Sequence, residues 1–294
     1  MPDKPIDTFA FQKKKFIVKM NEVDKTAATK LILVVVANTI DPEIGKGCRE
    51  DVKSIRSMFE ELSKHMKFNF LEIVVAEDNF SKKNILDTIE ILTPGSNDIV
   101  VFYYSGHGFS YDKDVEKRFP QVDMRSHPAS NEIEVINENT QNLLDLFELI
   151  KSRGARLNIV IGDCCNSLIK FKRDFKGGND KIRLAERPPV IINKQTCETL
   201  FCDYTASILV AAADKGEYAI SDEQIGSIFT FNFTNNLKIL MNKSVDPKNG
   251  LPWGKLLEET QEKTYELSQT YDIGGGRPGN QKAIFNIHFK ETLY

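Results

Sequence analysis

Apolar residues along this chain fall in short unbroken runs, separated by longer stretches in which they recur every three or four positions. The runs cover Leu31 to Ala37, Leu71 to Val75, Asp98 to Tyr104, Leu157 to Ile161 and Ile208 to Ala213, and they are rich in β-branched residues. Apolar runs without alternation predict strands covered on both faces, as in a parallel sheet between helix layers. Between them, Asp51 to His65 places Val52, Ile55, Met58, Phe59 and Leu62 on one stripe, and Gln141 to Lys151 does the same with Leu144, Phe147, Leu149 and Ile150. Two further helices are predicted after the last run, over Ile228 to Met241 and Trp253 to Thr270. This alternation predicts an α/β fold with an open, mostly parallel sheet sandwiched by helices, and leaves the strand order open.

Three segments read as irregular. Residues 1 to 28 form a polar, lysine-rich N-terminal extension, a candidate latency segment over the site, ahead of one domain spanning 29 to 294. Residues 110 to 139 are charged and hold two prolines, and residues 169 to 200 form a basic connector containing Gly177-Gly178 and Pro188-Pro189. Gly274-Gly275-Gly276-Arg277-Pro278-Gly279 reads as a loop, because it lacks the strand, lysine and helix of a phosphate-binding turn.

Composition narrows the function classes. The 294 residues carry a net charge of -3 with 41% hydrophobic content, which suits a globular core and gives no overall case for nucleic acid or anionic lipid as partner. Five cysteines, two of them adjacent, suit reduced thiols in a cytoplasmic setting better than a disulfide framework. No apolar stretch reaches the roughly 18 residues of a spanning helix, and the N-terminus lacks the charged-then-apolar form of an export signal. No membrane partner is expected, and nothing here sets the oligomeric state.

Ligands of open α/β sheets bind outside the carboxyl ends of the strands. Cys48 and Asp51 follow the first run, His107 the third and Cys165 the fourth, and Asp214 ends the fifth. A thiol attacks a carbonyl only as thiolate or with a base to take its proton, so Cys165 with His107 is a minimal pair for acyl transfer. Gly106 and Gly108 allow close backbone approach, and the amides of Gly108 and Cys165 form a candidate oxyanion hole. Two carboxylates converging in one pocket repel each other when it is empty and are relieved by a guanidinium.

Ser105-Gly106-His107-Gly108 and Asp163-Cys164-Cys165-Asn166-Ser167 resemble the catalytic histidine and cysteine motifs of caspase-fold cysteine peptidases, closest to the metacaspase-like branch of bacteria and lower eukaryotes. The resemblance runs from about Lys30 to about Phe289 and implies a caspase-like α/β/α sandwich. The histidine lies 58 positions (165 minus 107) before the cysteine, close to the roughly 50 known for caspases. The family's nucleophile stands two positions after the aspartate, which selects Cys165 and leaves Cys164 as a buried neighbour. The resemblance further implies cleavage after Arg or Lys, with Cys48, Asp51, Ser105 and Asp163 as the basic pocket and Asp214 as a second-line contributor. Partners are then peptides or proteins with a basic residue before the cut.

Two departures stand out. The usual His-Ser-Gly after the nucleophile is Asn166-Ser167-Leu168, which motivates the alternative of a catalytically inactive regulatory or binding module. Phe109-Ser110-Tyr111-Asp112-Lys113-Asp114 replaces the acidic Asp/Glu-Gly run of calcium-dependent members, so no calcium requirement, and no other metal or cofactor, is expected. Eight of the 25 residues from Lys170 to Lys194 are basic, which makes the connector a candidate for self-cleavage after Arg173, Lys176, Lys181 or Arg183. Arg187 precedes Pro188, which hinders cutting.

Overall fold

The computed structural model describes residues 29–112, 116–127, 132–168, 192–244 and 252–289. The N-terminal extension and all four candidate self-cleavage residues lie outside them. In chain order the strands are β1 (Lys30–Ala37), β2 (Asn69–Ala76), β3 (Ile99–Ser105), β4 (Gly108–Phe109), β5 (Gln121–Asp123), β6 (Thr140–Asn142), β7 (Leu157–Asp163), β8 (Ala206–Ala211), β9 (Ser221–Asp222), β10 (Gly226–Ser227) and β11 (Ile284–Phe289). The helices are α1 (Gly45–Met66), α2 (Lys82–Glu90), α3 (Ile133–Glu138), α4 (Leu143–Lys151), α5 (Lys194–Phe201), α6 (Ile228–Met241) and α7 (Pro252–Ser268).

Six strands form the central sheet in the order β11-β8-β7-β3-β1-β2, all parallel except β11, which runs antiparallel to β8. Alternation along each buried strand divides the core in two. Leu31, Leu33, Ile99, Val101, Ile159 and Ile208 pack with Ile55, Phe59, Phe201, Phe233 and Trp253 of α1, α5, α6 and α7. Val34, Val36, Val100, Phe102 and Val160 pack with Ile85, Leu146 and Phe147 of α2 and α4. The expected layering of a mostly parallel sheet between helices is therefore present. Among the described residues no helix is long and apolar enough to cross a membrane.

Several expectations need correction. β2 is an edge strand, so Leu71 and Val74 remain 48% and 40% exposed rather than covered on both faces. α1 begins at Gly45, six residues before the apolar stripe starts at Asp51, because Asp41 Oδ1 accepts the Glu43 and Ile44 N–H groups at 2.9 and 3.0 Å and organises the turn upstream. The charged interval from 110 to 139 contains β5 and α3, and β5 joins β4 and β6 in a small antiparallel sheet. The last part of the basic connector is α5, capped by Asn193, whose side chain accepts the Thr196 N–H.

Candidate active site

The carboxyl ends of β1, β3 and β7 lie side by side, with Ala37 opposite Ser105 and Ser105 opposite Asp163. Side chains alternate across a strand, so Ser105 and Asp163 share the α1 face with Tyr103 and Ile161. His107 and Cys165 each follow two residues further on. Pocket residues and chemistry-bearing residues thus come from the same two strand ends, one turn apart.

Cys48 and Asp51, three apart on α1, both face this row and are buried. Ser105 Oγ donates to Asp51 Oδ2 at 2.9 Å, and the Ser227 N–H donates to Asp51 Oδ1 at 2.7 Å. Asp163 receives Ser227 Oγ at 2.8 Å, Thr230 Oγ1 at 2.5 Å and Tyr103 OH at 3.5 Å. Ser227 is also the N-cap of α6, its hydroxyl accepting the Phe229 N–H, so the two acids sit at a helix N-terminus, whose partial positive charge favours anions. Gly226, at φ 78°, passes directly over Asp51, where any Cβ would collide with the carboxylate.

Asp51 and Asp163 are 1% and 4% exposed, and among the described residues neither forms an ion pair. Burial is the main reason the Asp163 carboxyl is pushed up to about 6, against the pull of Thr230, Ser227 and Tyr103. Burial and then the Asp163 charge hold Asp51 well above the usual carboxylate range. Burial likewise pushes the Cys48 thiol up to about 12. Two buried acids without a counter-charge are costly to ionise, and a cation reaching them removes that cost.

His107 is held from below and from the side. Tyr104 OH lies 2.7 Å from both the His107 and Asp123 carbonyls, and the Asp123 N–H donates to the His107 carbonyl at 3.0 Å. The imidazole Nε2 stands 3.0 Å from Asp41 Oδ2. Burial alone would raise the Asp41 carboxyl, but the His107 contact and the two backbone N–H groups outweigh it and leave it below its ordinary value. An ionised carboxylate only accepts, so Nε2 carries the proton of this bond.

Cys165 faces the segment after β8. Its Sγ accepts the Ala219 N–H at 3.4 Å and lies 3.6 Å from the Ala219 carbonyl, and among the described residues no hydrogen bond joins it to His107. Burial pushes this thiol up to about 11, the Ala219 N–H opposing and the Asp163 charge adding to the rise. Cys164 is buried in the opposite core layer. A Cβ on Gly108 would meet Cys164 Sγ at 2.5 Å and the Cys165 carbonyl at 2.6 Å, so only glycine permits this approach. The Asp123 N–H to His107 carbonyl bond makes Gly108 and Val122 a non-hydrogen-bonded pair of the small sheet. The Gly108 amide therefore points out of that ladder.

Asn166, fully buried, ties three segments together. Its amide donates to the Arg118 carbonyl at 2.8 Å and the Ala213 carbonyl at 3.2 Å, its Oδ1 accepts from Ser110 Oγ, and its backbone exchanges bonds with Glu217 and Gly216. Asp214 stands apart from the acid pair and forms a bidentate ion pair with Arg118 at 2.9 and 2.7 Å. Among the described residues no group of three His, Cys, Asp or Glu side chains is placed to hold a metal.

Sequence reasoning missed Asp41, Tyr103, Ser227 and Thr230. Asp41 had one local signal, an Asp-Pro turn before a helix. Ser227 had another as a helix cap, but its bridging of the acids spans 176 and 64 positions and has no local signature. A family model described as Caspase domain matches residues 32–278. A comparison with the curated proteins finds no match to this chain.

Proposed function

Because this chain belongs to the caspase-domain family of cysteine peptidases, we propose that it is a metacaspase-like endopeptidase that hydrolyses peptide bonds after Arg or Lys. One observation carries the specificity: Asp51 and Asp163 are buried together with no cation among the described residues, and Asp163 stands two positions before Cys165, opposite Ser105, which stands two before His107. A guanidinium supplies the missing charge and a planar set of donors. Cys48 and Ser105 line the same pocket.

In the proposed reaction the Cys165 thiol leaves Ala219 and gives its proton to His107 as sulfur attacks the carbonyl carbon. The amides of Gly108 and Cys165 receive the oxyanion. Collapse breaks the C–N bond, with His107 returning the proton to the leaving amine. Water then releases the acyl group through the same base, which restores the thiol. The basic connector is the proposed self-processing interval, the proposed compartment is cytoplasmic, and no calcium is required.

A second reading, a catalytically inactive caspase-fold regulatory or binding module, is favoured by the engagement of Cys165 with Ala219 rather than His107. An Arg-directed, thiol-reactive peptide discriminates between them. The peptidase reading predicts selective modification of Cys165, mapped by mass spectrometry, and competition by an Arg peptide. Labelling no faster than that of Cys202 overturns it.

A further inference from the structure

His107 Nε2 rests on a side chain that is itself locked in place. Asp41 is buried, its Oδ1 is occupied by the N–H groups of Glu43 and Ile44, and only Oδ2 is left to face the imidazole. We infer that Asp41 is the positioning residue of this active site, fixing His107 with its proton on Nε2 so that Nδ1 is the nitrogen that receives the Cys165 proton. The inference rests on the peptidase reading for its kinetic consequence, but not for the imidazole geometry.

The two backbone donors make the assignment sharply testable. In Asp41→Asn the amide oxygen must stay at the δ1 position, because Glu43 and Ile44 N–H require an acceptor. The NH2 then faces His107 Nε2, which must accept, and the ring proton moves to Nδ1, the wrong nitrogen for a base. Asp41→Ala loses the turn and the contact but forces neither tautomer. A purely structural Asp41 therefore predicts that Asn is the milder replacement. A tautomer-setting Asp41 predicts the reverse.

The experiment compares wild type, Asp41→Asn and Asp41→Ala in the full chain, by kcat and KM on an Arg peptide and by 15N chemical shifts of the His107 ring at a pH where it is neutral. The expected kcat for Asp41→Asn falls by on the order of a thousandfold or more, as wrong-tautomer variants of catalytic histidines do. KM should stay within a few-fold, and Asp41→Ala should retain more kcat than Asp41→Asn. The shifts should show Nε2 protonated in wild type and Nδ1 protonated in Asp41→Asn. Equal tautomers in both proteins, or Asp41→Asn more active than Asp41→Ala, would overturn the assignment. A wild type inactive on every peptide would count against the peptidase reading alone, since the ring shifts still report on Asp41.

Discussion

Ser227 links Asp51 to Asp163 through two different groups, its N–H reaching Asp51 Oδ1 at 2.7 Å and its hydroxyl reaching Asp163 Oδ1 at 2.8 Å. The first residue bound to α6 thus holds two acids, from α1 and β7, whose nearest chain separation to it is 64 positions. Both acids are buried, and among the described residues neither has a counter-charge. That state is unfavourable for the free protein and favourable for receiving a cation.

Stability should report this arrangement. A carboxyl raised in the folded state binds a proton that the unfolded state releases, so its contribution to stability is present at low pH and is lost as pH rises through the folded value, here about 6 for Asp163. Removing the charge should therefore help the fold most above that pH. Asp163→Asn is expected to melt higher than wild type at pH 8, by on the order of a few kcal/mol in unfolding free energy, and to show little difference at pH 4. Thermal melts of both proteins across pH check it. A constant difference would show that Asp163 is not raised.

The same substitution should act oppositely on catalysis. Losing one partner of a buried charge-assisted pair costs about 2–5 kcal/mol, so Asp163→Asn or Asp51→Asn should lower kcat/KM on Arg peptides by about a hundredfold. Steady-state kinetics measure this. A more stable protein that cleaves less well is the expected combination.

The thiol should sense the pocket. The Asp163 charge adds to the burial that pushes Cys165 up to about 11, and an arginine analogue in the pocket cancels that charge. Alkylation of Cys165 across pH, with and without the analogue, is expected to show an apparent thiol pKa that is lower when the analogue is bound. An unchanged profile removes the link.

Asn166, next to Cys165, joins the segments around residues 110, 118 and 213–217. Asn166→Ala strands a buried hydroxyl and two carbonyls, at about 1–3 kcal/mol for each group left unpaired. Taking the low end, about 3 kcal/mol for the three groups together, a melting temperature lower by roughly 6–12 °C is expected, given about 2–4 °C per kcal/mol in proteins of this size class. Differential scanning fluorimetry suffices to see it. A melting temperature equal to wild type would mean the clip adds nothing to stability.

Self-processing has its own readout. New N-termini in wild type, absent from Cys165→Ala, are expected after Arg173, Lys176, Lys181 or Arg183, with none between Arg187 and Pro188. N-terminal sequencing of the fragments decides it. Identical termini in both proteins would contradict self-cleavage of the connector.

How much of this was legible in the chain depends on whether the signal was local. β-branched runs marked β1, β3 and β7, because those strands are buried on both faces and so lack alternation. The α6 helix was predicted with its observed ends, since Ser227 caps it and the apolar stripe fills it. β11 was not predicted, because Ile284-Phe285-Asn286-Ile287-His288-Phe289 mixes polar and apolar residues as an edge strand does. His107 and Cys165 stood out through their flanking glycines and neighbours. Asp41 did not, because its partner lies 66 positions away. Thr230 likewise reaches Asp163 across 67 positions through the packing of α6 on β7. Such tertiary ties are set by the fold, and no window of the sequence carries them.

The measurement that reaches the central claim most directly is kcat/KM on two fluorogenic peptides that differ only in having Arg or Asp before the cut, for wild type beside Cys165→Ala and Cys164→Ala. Cleavage of the Arg peptide by wild type and Cys164→Ala, none by Cys165→Ala, and none of the Asp peptide by any of them is the predicted result. Robust cleavage after Asp, or turnover that survives loss of Cys165, would contradict it.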